Sequence, residues 1–407
     1  MSNNWLECDW CQSRFDVAPM FFGCPRCARE GRKRPVEMKY AIDGFQPEIS
    51  PGIWRWAGLL PPAAFDRRVT LYEGATPLVP IDLPGRDAKI FLKNETSNPT
   101  WSWKDRPNAV SISMARQFGF GRVTAKSTGN HGNSVAAYAG AAGLDATILC
   151  HEDTSELQLA LMEGYGARVI LGGSQDKIIT RMVTAQAYFP CTILCPGAGY
   201  SNPFGVEGFK TIAFEIVDAL AGSAPDRVFI PAGSGDGTYG IWKGFREMAE
   251  RKQISATPRI VACQPHGANS ASRAWKERRN HVEPLRQVKT AALSLAEPVT
   301  GDHALRAVYE SGGEFCEASE LEILEAARAL GRRGFALELA SALPYACALQ
   351  TEPSPKLSKR EIWVLVGTGA AVKWPETLLR GYSKPVVLGS EVEELSALAG
   401  NPKEPEI

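Results

Sequence analysis

The chain reads as an α/β protein built from two doubly wound, parallel-sheet units, with a small metal-bound ribbon at its start. Three observations predict this. From about residue 65, short apolar runs alternate with helical patterns, the order of a parallel sheet covered on both faces. Two glycine-bearing turns, at residues 127–132 and 233–240, each lead from the end of a strand into a helix. Four of the ten cysteines fall into two Cys-x2-Cys pairs near the N-terminus.

The cysteine pairs come first. Cys8 and Cys11 are followed, after twelve residues that include Pro19 and Gly23, by Cys24 and Cys27. Two such knuckles let four thiolates reach one tetrahedral zinc ion, and a segment this short has little apolar core to hold it folded otherwise. The spacing leaves no open coordination position, so the expected role is structural. Ordinary buried thiols without metal are the alternative. The ribbon is assigned to residues 1–45 and the remaining body to residues 46–407.

In the body, Val123 to Ala125 reads as a strand, Asn133 to Ala142 as an alanine-rich helix stopped by Gly143, and Ala146 to Cys150 as the next strand. Glu156 to Tyr165 is a further helix and Arg168 to Leu171 a further strand. A second series opens with the strand Arg227 to Pro231, passes through the glycine-rich turn, and enters a helix at Ile241. Glu361 to Val366 supplies a late buried strand, and the polar, proline-bearing stretch Glu394 to Ile407 is expected to fray.

The 407 residues are 44% hydrophobic, enough for a substantial core. Forty-five basic side chains balance forty-five acidic ones, so no net field draws the chain to nucleic acid or an anionic membrane. No apolar run is long enough to span a bilayer and no secretory signal opens the chain, so a cytoplasmic location is expected.

The chemistry concentrates in two places. Lys104 sits in an otherwise uncharged turn, Asn98-Pro99-Thr100-Trp101-Ser102-Trp103, and the loop Ser127-Thr128-Gly129-Asn130-His131-Gly132 presents hydroxyl, amide and imidazole groups together. That pairing suits a lysine holding a cofactor aldehyde beside a pocket for a small carboxylate. The turn Gly233-Ser234-Gly235-Asp236-Gly237-Thr238 fits neither the Walker nor the dinucleotide pattern. With a Schiff-base lysine upstream, it reads as a phosphate cradle at a helix N-terminus.

These residues, in this order, resemble threonine synthase and its relatives, the fold-type II pyridoxal-phosphate enzymes. The likeness runs from Glu73-Gly74-Ala75-Thr76-Pro77 through the Lys104 turn, the Asn130 loop, Asn202-Pro203 with Glu207 to Thr211, the glycine turn, Ser311 to Gly313, Glu338 to Ala342, and Thr368-Gly369 with Lys373 and Pro375. It implies a smaller mobile lobe over about residues 108–200, a homodimer, and a small amino acid as substrate. It also implies that Lys104 holds pyridoxal 5'-phosphate and acts as general base and acid. Asn130 would bond the cofactor phenolate, and Gly233, Ser234, Gly235, Gly237 and Thr238 its phosphate. Thr368 would face the pyridine nitrogen, while Ser127, Thr128, Asn130 and His131 receive the substrate carboxylate. Asp236 is expected to point away from the phosphate.

Three departures bear on substrate. Gly205 stands where threonine synthases carry an arginine toward the substrate phosphate, the glycine turn holds Asp236 in place of amides, and Trp101 and Trp103 replace a glycine and a phenylalanine. The expectation is therefore a lyase or synthase performing β- or γ-elimination or replacement on an unphosphorylated amino acid. Threonine synthase acting on O-phosphohomoserine is the alternative. A non-catalytic ribbon protein with a vestigial cofactor site is the second.

Overall fold

A computed structural model describes residues 4–41, 47–192, 194, 202–353 and 360–375. The stretch expected to fray, Glu394 to Ile407, lies outside the described residues. Strands β1 (Asn4–Cys8) and β2 (Arg14–Phe15), helix α1 (Pro25–Arg29) and strand β3 (Val36–Tyr40) form the ribbon, an antiparallel sheet in the order β2-β1-β3. Its buried residues Leu6, Cys8, Val36 and Met38 join one apolar cluster with Ile53, Trp54 and the helices that follow. The ribbon is therefore packed onto the body, where it continues the core instead of closing one of its own.

The body opens with β4 (Leu78–Pro80), β5 (Ala88–Asn94) and α2 (Asp105–Gln117). Next come β6 (Arg122–Lys126), α3 (Asn130–Ala141), β7 (Asp145–Cys150), α4 (Glu156–Gly164), β8 (Arg168–Leu171), α5 (Gln175–Gln186) and β9 (Phe189–Pro190). The chain continues through α6 (Lys210–Ala219), β10 (Arg227–Pro231), α7 (Asp236–Glu250), β11 (Arg259–Pro265), α8 (Ser270–Lys276) and α9 (Asp302–Glu310). It ends, among the described residues, with β12 (Glu314–Ala318), α10 (Glu320–Gly331), α11 (Leu339–Gln350) and β13 (Glu361–Gly367).

Two sheets result. The smaller is fully parallel in the order β8-β7-β6-β9, and the larger runs β12-β11-β10-β13-β5-β4 with only β4 antiparallel. From β10 the chain moves outward to β11 and β12, then returns through β13 on the other side. Such a reversal leaves a crevice outside the carboxyl ends of β10 and β13. The residues singled out above all follow carboxyl ends: β5 leads to Lys104, β6 to Asn130, β10 to the glycine turn and β13 to Thr368.

Helix α7 starts at Asp236, five residues before the Ile241 expected from the sequence. The glycines read as loop are a packing face. A side chain at Gly240 would sit 2.6 Å from Phe209 Cβ, and one at Gly244 2.8 Å from the Lys210 carbonyl, so their absence lets α6 and the turn Gly205–Phe209 approach closely. Helix α3 likewise starts at Asn130 instead of Asn133, because Gly129 caps it.

Candidate active site

The Lys104 turn is held by polar bonds on every side. Trp101 N–H donates to the Asn98 carbonyl at 2.8 Å, and the buried Asp105 carboxylate accepts both the backbone N–H and the hydroxyl of Thr100. Next to it, buried Arg106 forms paired bonds to Glu95 at 2.7 and 2.9 Å and to Glu215 at 2.7 and 2.8 Å. Such forked charge-assisted bonds satisfy a guanidinium that burial would otherwise penalise. The turn is then joined to the chain after β13. Trp103 N–H donates to the Thr368 carbonyl at 2.9 Å, Ala370 N–H to the Trp101 carbonyl at 3.0 Å, and Lys373 Nζ to the Thr100 carbonyl at 2.6 Å. Lys104 and Thr368, far apart in sequence, are thereby fixed side by side.

Lys104 itself is half-buried. Burial depresses its ammonium pKa below the ordinary lysine value, and the carboxylates of Asp236, Glu297 and Glu338 offset part of that effect. A lysine held this way loses its proton more readily than one in water, which suits an amine that must act as nucleophile and base.

The loop after β6 folds around Ser127, whose Oγ accepts from Gly129 N–H at 3.2 Å and from Gly132 N–H at 2.9 Å. The N–H groups of Asn130 and His131 have no partner among the described residues and open the first turn of α3. Asn130 Nδ2 donates to Glu338 Oε1 at 2.9 Å, while its Oδ1 is buried without a partner. Glu338, raised above the ordinary carboxyl range by burial, also accepts from Ser294 at 2.9 Å. Thr368 and Ser341 share a hydroxyl bond of 2.8 Å. Glu338 and Ser341, within the block Glu338 to Ala342 of the resemblance, and Ser294 join this cluster although the sequence reading assigned them no role; the partners they meet are distant in the chain.

His131 is placed differently from the sequence expectation. Its Nε2 faces the Cys191 carbonyl at 2.5 Å, and its Nδ1 lies 3.4 Å from Asn108 Nδ2. A carbonyl accepts and an amide donates, so these partners select the neutral ring protonated on Nε2. Burial, and then nearby Lys104, lowers its pKa to about 4. Both ring nitrogens thus face partners within the protein, and the His131 backbone N–H stands in the first turn of α3.

At the glycine turn, Gly235 adopts φ +97°, and a side chain there would lie 2.6 Å from Ala304 Cβ. A side chain at Gly237 would overlap the Trp103 indole, whose ring packs 4.8 Å from that of Phe209. Thr238 Oγ1 is buried without a partner. Asp236 is buried with its Oδ1 3.2 Å from Nε2 of His303, a residue of α9 that the sequence reading did not single out. This contact gives the Asp236 carboxylate a partner within the protein. Trp101, 41% exposed, takes φ +59°, a conformation glycine adopts without strain.

These features fit pyridoxal phosphate. Buried Ser102 Oγ, Asn130 Oδ1 and Thr238 Oγ1 have no polar partner among the described residues, the glycine turn sets backbone N–H groups at a helix start, and half-buried Lys104 adjoins Ser102 in the chain. The four ribbon cysteines fit a metal as well. Their sulfurs lie within 4.8 Å of one another, with Cys8–Cys27 and Cys11–Cys24 each at 3.7 Å. A tetrahedron with zinc–sulfur bonds of about 2.3 Å has edges of about 3.8 Å. The alignment of Gly205 with an arginine is also instructive. Gly205 is buried, and a side chain on it would overlap Ser111 Oγ and lie 3.2 Å from the Pro107 carbonyl, so this backbone admits none.

Comparison with known proteins agrees with the geometry. Residues 69–369 match the family described as pyridoxal-phosphate dependent enzyme. Among curated relatives, threonine synthase of Methanocaldococcus jannaschii is 31% identical over 96% of this chain and 98% of its own. Threonine synthase of Synechocystis sp. is 34% identical over 82% of this chain and 88% of its own. Among solved structures, maize serine racemase superposes with a TM-score of 0.62 at 18% identity, covering 75% of this chain and 92% of its own. Threonine deaminase isoform 2 from Solanum lycopersicum gives 0.62 at 19% identity, covering 83% and 100%.

Proposed function

Since the chain belongs to the pyridoxal-phosphate-dependent enzyme family, we propose that it acts as a threonine synthase, converting O-phosphohomoserine and water to threonine and phosphate. The observation that carries this reading is the match, over nearly the whole length of both chains, to relatives named threonine synthase. The sequence reading had set this activity second to an unphosphorylated substrate.

Lys104 would hold the cofactor, and its amine would take the α proton of the amino acid and return protons at its side-chain carbons. The bound cofactor supplies an electron sink that stabilises negative charge at those carbons. Its phosphate belongs at the start of α7, where Gly233, Ser234, Gly235, Gly237 and Thr238 offer N–H groups and a hydroxyl along the helix axis. Asn130 would hold the cofactor through its amide, and Thr368 would offer it a hydroxyl, a neutral partner and not a charged one. The substrate carboxylate is received by Ser127, Thr128 and the first N–H groups of α3. The ribbon holds a structural zinc ion through Cys8, Cys11, Cys24 and Cys27.

One observation favours a second reading, the turnover of an unphosphorylated β- or γ-substituted amino acid: Gly205 leaves no room for a side chain to meet a distal phosphate. The deciding experiment incubates purified protein with O-phosphohomoserine and with a panel of unphosphorylated amino acids, then identifies products by mass spectrometry. Threonine and phosphate from O-phosphohomoserine, absent with Lys104→Ala, are expected. Efficient turnover of an unphosphorylated amino acid with none of O-phosphohomoserine would replace this reading by the second.

A further inference from the structure

The glycine turn is held, almost residue by residue, by one distant segment that leads into α9. Thr300 Oγ1 donates to the Gly233 carbonyl at 2.7 Å, Gly301 N–H donates to the Ser234 carbonyl at 2.9 Å, and His303 Nε2 lies 3.2 Å from Asp236 Oδ1. Between these contacts, a side chain at Gly235 would come 2.6 Å from Ala304 Cβ and 3.1 Å from Thr300 Cγ2. The Ala232 carbonyl, just before the turn, accepts from Gln264 Nε2 at 3.0 Å.

Three consecutive carbonyls, those of Ala232, Gly233 and Ser234, are therefore turned towards partners inside the protein. Across a trans peptide the N–H points opposite to the carbonyl, so the N–H groups of Gly233, Ser234 and Gly235 turn away from those partners. None of the three donates to another described residue. With Gly235 at φ +97°, they form the kind of concave run of donors that suits an anion, and the buried Thr238 hydroxyl beside them also has no partner among the described residues.

Thr300 fixes this arrangement. Its buried hydroxyl donates to the Gly233 carbonyl while accepting from Gln264 Nε2 at 3.0 Å and from Ser270 Oγ at 3.3 Å. One donor and two acceptor positions are all that a hydroxyl has, so its proton is left a single direction. The Thr300 N–H donates to Ser270 Oγ at 3.0 Å, and Gln264 Oε1 accepts from Ser272 N–H at 2.9 Å, so the groups that steer the hydroxyl are themselves held.

We propose that Thr300 is a positioning residue for the cofactor phosphate: by holding the Gly233 carbonyl inward, it keeps the N–H groups of the glycine turn facing the phosphate. The role rests on the reading of that turn as the phosphate cradle, and it is independent of which amino acid the enzyme takes.

The test titrates the full chain, freed of cofactor, with pyridoxal 5'-phosphate and with pyridoxal, which lacks the phosphate, and follows the absorption band each aldehyde gives on binding. Thr300→Val keeps the shape of the side chain and removes the hydroxyl. It is expected to weaken pyridoxal 5'-phosphate by roughly fivefold or more, as for a buried acceptor left without its donor, and to leave the affinity for pyridoxal unchanged. Thr300→Ser, which restores the hydroxyl, should recover most of the loss, and the melting temperature of each variant checks folding. Should Thr300→Val fail to fold, Ser270→Ala must show the same selective loss, since it removes a bond that steers the hydroxyl. Equal losses for the two aldehydes, or no loss for either, would make Thr300 a packing residue only and overturn the proposal. If the unaltered protein binds pyridoxal as tightly as pyridoxal 5'-phosphate, the phosphate cradle itself fails, and the positioning role falls with it.

Discussion

At the scale of single residues, His131 shows how a neighbourhood overrides a motif. The loop Ser127 to Gly132 presents an imidazole among hydroxyl and amide groups, and the resemblance sends His131 to the substrate carboxylate. The ring instead bonds the Cys191 carbonyl and faces Asn108. Its pKa is lowered to about 4 by burial and Lys104, so between that value and the ordinary 6.5 the unfolded chain binds the proton more tightly. Stability must therefore rise with pH across this window and be lost as pH falls through it, by on the order of 3 kcal/mol in the limit. His131→Gln, which can still donate to Cys191, is expected to flatten the dependence of the urea midpoint on pH between 4.5 and 6.5. Identical slopes in the two proteins would show that His131 does not titrate there.

The Lys104 turn and the Asn130 loop stand out in local pattern, whereas the roles expected of Asn130 and Thr368 came from the resemblance; the fold draws the chain around Lys104, Asn130 and Thr368 together through Trp103, Glu338 and Ser341. Glu338 against Asn130, His303 against Asp236 and Trp374 over Gly129 leave no trace in local spacing. Each depends on a contact across many tens of residues, set by how the two sheets face each other.

At the scale of elements, β3 of the ribbon and α7 are joined by buried polar bonds. Tyr239 donates to Glu37 and Lys243 Nζ to the Met38 carbonyl at 2.7 Å, while Tyr40 of β3 donates at 3.0 Å to Glu207 in the neighbouring turn Gly205–Phe209. Lys243 and Lys210 share Glu207 and Glu247 beneath these bonds. Since α7 begins at the glycine turn, the ribbon braces the helix whose start is proposed to hold the cofactor phosphate. We expect about one zinc ion per chain in purified protein, as for a four-thiolate site. Cys8→Ser combined with Cys27→Ser should abolish it, lower stability by at least about 2 kcal/mol, and make the cofactor easier to remove by dialysis. Metal analysis, thermal unfolding and absorbance after dialysis check the three parts; retained zinc in the double variant would place the metal elsewhere. The alternation of strands and helices foretold these elements, but helix starts were misjudged at Asp236 and Asn130, where glycine served as packing surface and cap instead of loop.

At the scale of the whole molecule, hydrogen bonds tie the smaller lobe to the rest of the chain, among them Gln158 Nε2 to the Lys373 carbonyl at 2.8 Å. Gln158→Leu removes that bond and leaves Asn133 Nδ2 without its acceptor, a cost of about 1–3 kcal/mol. The loss should fall on the smaller lobe. Amide exchange in α3 and α4 is expected to quicken while β10 and β13 keep their protection, and uniform loss of protection across both sheets would show that the lobes unfold as one unit.

The ribbon's docking also sets a timetable for synthesis. All four thiolates have left the ribosome once Cys27 has emerged, so metal can organise the ribbon while most of the chain is still unmade. Its partners come much later: Tyr239 lies 202 residues after Glu37, and Lys243 lies 205 after Met38. At roughly 5–20 residues per second, that gap lasts on the order of 10–40 s. Through that interval Glu37, Met38 and Tyr40 must present to water, or to a chaperone, a face that the finished protein keeps covered.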